Sequence, residues 1–78
     1  MPRFEICYNG EYDKIRTEVI TKILDEEMKS YNVIQDISRT YLATKGTSRI
    51  AIFYDNEYIG LNYRDLVYFL NDKGMMLC

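Results

Sequence analysis

The chain has 78 residues, a formal net charge of −2, 47% hydrophobic and 28% charged residues, the balance of a single small globular domain spanning 1–78. It contains no histidine, which excludes Ser-His and Cys-His nucleophile pairs and removes the commonest general base and metal ligand. The net charge is too small to mark a whole-protein nucleic-acid binder, and no apolar run approaches the roughly 20 residues of a membrane span.

Arg3–Tyr8 alternates, with Phe4, Ile6 and Tyr8 on one side and Glu5 and Cys7 on the other, and reads as a strand. Asn9-Gly10 turns the chain into a helix over Glu11–Tyr31. Its apolar stripe is Tyr12, Ile15, Val19, Ile20, Ile23, Leu24, Met28 and Tyr31, and Glu18/Lys22 and Asp25/Lys29 are favourable i,i+4 pairs on its polar side. Asn32–Thr44 reads two ways. Val33, Ile37 and Tyr41 would share a helix face, yet Ser38–Thr44 is rich in β-formers and runs into the turn cluster Lys45-Gly46-Thr47-Ser48. A strand over Ser38–Thr44, hairpinned to a strand over Arg49–Tyr54, is the simpler reading. Asp55-Asn56-Glu57 makes the next turn and Tyr58–Leu61 a short strand. Asn62 caps a second helix with Tyr63, Leu66, Val67 and Leu70 on its apolar stripe and Gly74 just past its end, and Met75–Cys78 is an apolar tail. The order β-α-β-β-β-α predicts an α+β domain, an antiparallel sheet of about four strands with two helices packed on one face.

Motifs of catalysis are missing from this pattern. There is no G-x-S-x-G, no phosphate-binding G-x-x-x-x-G-K and no G-x-G-x-x-G, and all four glycines fall at turns or element ends. Asp55 and Glu57, two apart in a turn, could reach a divalent ion, but no lysine stands close after Glu57 in sequence to complete a nuclease-like set, so a solvated turn is the better reading. No metal, cofactor or catalytic residue is therefore expected. Cys7 and Cys78 are expected as free thiols in a reducing cytoplasm, since a secreted domain of this size usually carries a fuller cysteine framework.

Charge is unevenly distributed. Ile37–Tyr54 has Arg39, Lys45 and Arg49 and no acid, whereas Asp55–Asp72 has Asp55, Glu57, Asp65 and Asp72 against Arg64 alone. The basic stretch, with Tyr41, Phe53 and Tyr54 interleaved, offers one route to nucleic acid through Arg39, Lys45 and Arg49. The acidic stretch offers a different partner. Eight tyrosines exceed what a thin core can hide with every hydroxyl satisfied, and tyrosine is favoured at protein interfaces. Tyr58, Tyr63, Asp55, Glu57 and Asp65 are the candidate partner-binding residues, suited to a basic surface on another protein. The tail Met75–Cys78 is the candidate contact for a homodimer.

The segment DNEYIGLNYRD, acidic and tyrosine-rich within a short α+β chain that has no catalytic set, resembles the small phage-encoded inhibitors of host defence systems, the anti-CRISPR proteins among them. The resemblance is one of class, and no functional residue is carried over from it. It implies a non-enzymatic, cytoplasmic inhibitor that binds a host protein and blocks its nucleic-acid-binding site.

Overall fold

The computed structural model describes residues 2–77. Eight elements follow in order: β1 (Phe4–Tyr8), α1 (Glu11–Arg16), α2 (Glu18–Glu26), β2 (Tyr31–Gln35), α3 (Ile37–Thr44), β3 (Ile50–Tyr54), β4 (Glu57–Gly60) and α4 (Tyr63–Asp72). The fold is α+β, with one four-stranded sheet in the order β2-β1-β3-β4. The sheet is mixed rather than antiparallel: β1 runs parallel to β2 and antiparallel to β3, and β4 is antiparallel to β3.

The two helices expected from the sequence do share a face. Ile20 and Leu24 of α2 and Leu66 and Leu70 of α4 are buried with Phe4, Ile6, Tyr8, Ile50 and Ile52 in the main core. A further helix, α3, covers the opposite face, where Cys7, Ala51 and Phe53 form a smaller cluster with Ala43 against it. Period two in β1 explains the division, since Glu5 and Cys7 project away from Phe4, Ile6 and Tyr8.

Two further expectations are corrected. Ser38–Thr44 is helical, so the basic hairpin with Arg49–Tyr54 does not form. Asp36 caps α3, its Oδ1 accepting from the Arg39 N–H at 2.9 Å, and Lys45 ends it in the left-handed region at φ 55°. The threonines that suggested a strand are satisfied within the helix. The Thr40 and Thr44 hydroxyls each donate at 2.8 Å to the carbonyl four residues back, of Asp36 and Thr40.

The long first helix is shorter than expected, in two segments meeting at Thr17, and ends at Glu26. Met28 takes φ 57°, and Tyr31 begins β2 instead of ending the helix. Its buried face is Asp13, Thr17, Ile20, Leu24 and Glu27, so Tyr12, 91% exposed, together with Ile15 and Val19, lies outside the core. Polar partners close both ends of this face. Asp13 accepts from the Gly10 N–H, and Glu27 Oε1 accepts from the Leu77 N–H at 2.6 Å.

The tail is partly committed to the monomer, because Met75 and Met76 pack against the main core. Cys78 lies outside the described residues. Among the described residues no helix is long and apolar enough to cross a membrane.

Candidate functional site

β4 and α4 build the groove that collects most of the sequence-predicted partner residues. Asp55 and Asn56 both have positive φ, 51° and 68°, as a two-residue turn between β3 and β4 requires. The register then slips by one residue between Ile52 and Phe53, so Tyr58 pairs with Phe53 while Gly60 pairs with Ile52. This bulge at Ile59 turns its side chain toward the main core. Tyr58 goes to the other face, its ring edge-on to Phe53 at 6.0 Å between centroids.

Gly60 brings helix and strand together. A Cβ there would lie 2.1 Å from the Asp65 Cβ, so only glycine lets the first turn of α4 sit directly on β4. Asp65 fastens that contact. Its Oδ2 accepts from the Leu61 N–H at 2.9 Å, while its own N–H donates to Asn62 Oδ1 at 3.0 Å.

The result is a groove of about 370 Å³ lined by Glu57, Tyr58, Ile59, Asp65, Tyr68, Phe69, Asp72 and Lys73. Three acidic residues and one lysine line it, and Lys73 Nζ lies 6.0 Å from the Phe69 ring centroid. Tyr58 is partly exposed and Tyr68 is 75% exposed. Burial, and secondarily the Asp65 charge, push the Tyr58 phenol above its ordinary value, so it stays a neutral donor.

Two predicted residues stand elsewhere. Asp55 pairs with Arg3 across the turn, and that guanidinium also lies 4.8 Å from the Tyr54 ring centroid. The hydrogen bond from Arg3 holds the Asp55 carboxyl below its usual range. Tyr63, at the start of α4, lines a second groove of about 290 Å³ with Arg16, Val19, Arg49 and Leu61. Tyr68 and Asp72, which belong to the same acidic, tyrosine-rich stretch but not to the five candidate residues, join Asp65 in the groove. They follow it at i+3 and i+7, a helical spacing that marks one face.

The basic residues are dispersed. Arg39 lies over the Phe53 ring at 3.9 Å, pairs with Glu5 at 3.0 Å and donates to the Cys7 thiol at 3.7 Å. Burial raises the Cys7 thiol against the opposing pull of Arg39. Arg49 holds both oxygens of Asp13, at 2.9 and 3.0 Å, and Asp13 is only 3% exposed. Lys45 sits at the end of α3, at none of these contacts. Two of the three cations are thus tied to carboxylates of the same domain. Among the described residues no three His, Cys, Asp or Glu side chains come together as a metal-binding group.

Comparison with protein-family models, curated proteins and solved structures finds no match to the chain.

Proposed function

We propose that the protein is a non-catalytic protein-binding module, an inhibitor of the phage anti-defence kind, that acts in the host cytoplasm by covering a basic nucleic-acid-binding surface of a host protein. The observation that supports this reading is the β4/α4 groove, which gathers Glu57, Asp65 and Asp72 around the Tyr58 and Tyr68 rings. Carboxylates spaced along a groove can replace phosphates in a cationic site, and phenol rings can replace bases against its aromatic or guanidinium groups. Asp65, held by two backbone contacts, positions the groove. Glu57, Tyr58 and Tyr68 are its free contact groups.

Competition tests this reading. A host protein captured by the tagged chain from nuclease-treated bacterial lysate should be displaced by added nucleic acid or heparin, and Glu57→Lys should weaken its capture. Capture that is indifferent to polyanion would remove the groove-blocking role. Recovery of nucleic acid in place of a protein would transfer the function to Arg39, Lys45 and Arg49.

A further inference from the structure

We propose that β2 is a self-association edge, on which a second copy of this chain adds in antiparallel register with Val33 facing Val33 of the partner copy. The two edges of the sheet are built differently. β4 has four residues, a bulge and the charged Glu57, all of which discourage edge pairing. β2, Tyr-Asn-Val-Ile-Gln, is regular over five residues and carries no charge, proline or bulge. Such an edge is a template for another strand.

Its phase is fixed by the parallel pairing with β1. The Asp36 N–H donates to the Tyr8 carbonyl at 3.0 Å, so alternate residues Asn32 and Ile34 direct their backbone groups at β1. Tyr31, Val33 and Gln35 then direct theirs outward, and among the described residues no other backbone group outside the strand ladders bonds to them. A two-fold axis at Val33 matches Tyr31 with Gln35 of the second copy, Val33 with Val33 and Gln35 with Tyr31. Every outward N–H meets an outward carbonyl, which makes six backbone hydrogen bonds.

The flanks agree with the same axis. Lys29 precedes the strand by two residues and Asp36 follows it by one, so the antiparallel register brings the positively charged end of each edge to the negatively charged end of the other, within the range of unscreened charge. Met28, 81% exposed, and Ile37, 60% exposed, also stand at opposite ends of the strand, where the axis brings one toward the other. The occupant that fits is a second copy, because this neutral strand and its oppositely charged ends complement themselves. The joined sheet would have eight strands with both β4/α4 grooves at its outer edges, so this association is independent of what the grooves bind.

Sedimentation across a micromolar-to-millimolar series, with far-UV circular dichroism as the check on folding, reads the association. The wild type should pass from monomer to dimer. Val33→Pro should stay monomeric and folded, because the N–H it removes points outward and the Val33 side chain packs only partly against the core. In a Cys78→Ser background, Val33→Cys should cross-link under mild oxidation, as facing Cα atoms lie about 5.5 Å apart. Gln35→Cys should not, with its equivalent atoms separated by roughly 14 Å at ~3.4 Å per residue. A wild type monomeric throughout would overturn the proposal, as would equal cross-linking at both positions. A dimer that survives Val33→Pro and is lost on deleting Met75–Cys78 would also overturn it and make the tail the contact.

Discussion

Asp13 is the residue whose environment departs furthest from that of a surface carboxylate. Burial disfavours its charge, and the Gly10 N–H and the Arg49 guanidinium more than compensate, so its carboxyl lies below the usual range. Because the folded-state pKa is below the unfolded one, the stabilisation is present above the ordinary carboxylate range and is lost as pH falls through the folded value. Asp13→Asn should lower the melting temperature at neutral pH and flatten the acid limb of a stability-versus-pH curve; an unchanged acid limb would refute the assignment. Cys7 offers a second check at this scale. Its thiol is buried beneath Arg39 and shifted toward the neutral form, so a thiol reagent should label it slowly in the native protein and rapidly in denaturant. Labelling at equal rates in both states would show that the α3 layer does not cover it.

At the scale of elements, the joint between β4 and α4 positions the candidate site. Gly60→Ala forces a Cβ into Asp65, and the overpacking should cost about 1–3 kcal/mol in denaturant unfolding. A neutral effect would mean that the strand and helix are not so closely seated. Asp36→Ala, which removes the cap of α3, should cost about 0.5–2 kcal/mol. This cap is the local signal in the sequence that marks the segment after it as a helix. Asp36 was readable as a helix start, but the threonines and Tyr41 that follow carry strand propensity, and their intrahelical hydrogen bonds appear only once the helix has formed. The first helix shows the converse error. Its exposed Tyr12, Ile15, Val19 and Met28 completed an apolar periodicity that the core does not use, while the buried face begins and ends in Asp13 and Glu27, whose partners are distant in sequence. Elements defined by local chemistry were legible: the alternation of β1, the Asp55-Asn56 turn, and the Asn62 cap and Gly74 end of α4. The parallel pairing of β1 with β2 was not, because the helix periodicity had absorbed Tyr31.

Considered as a whole, the molecule separates its charges by use. Arg3, Arg39 and Arg49 pair with Asp55, Glu5 and Asp13, whereas Glu57 and Asp72 in the β4/α4 groove make no ion pair among the described residues. The candidate site was therefore half legible. Acid and tyrosine shared a stretch of sequence, but only the fold separates Glu57, Tyr58 and Asp65 from Asp55, which is paired, and from Tyr63, which faces another groove. A partner drawn by this surface should associate faster at low ionic strength, with the on-rate falling as salt is added; a salt-independent on-rate would contradict an electrostatic groove. The central claim is tested most directly by a paired capture experiment from nuclease-treated lysate, with wild type beside a Tyr58→Ala/Tyr68→Ala variant of verified fold and the bound proteins quantified by mass spectrometry. The groove account predicts a stoichiometric protein on the wild type that is reduced at least tenfold on the variant, and equal capture by both would contradict it.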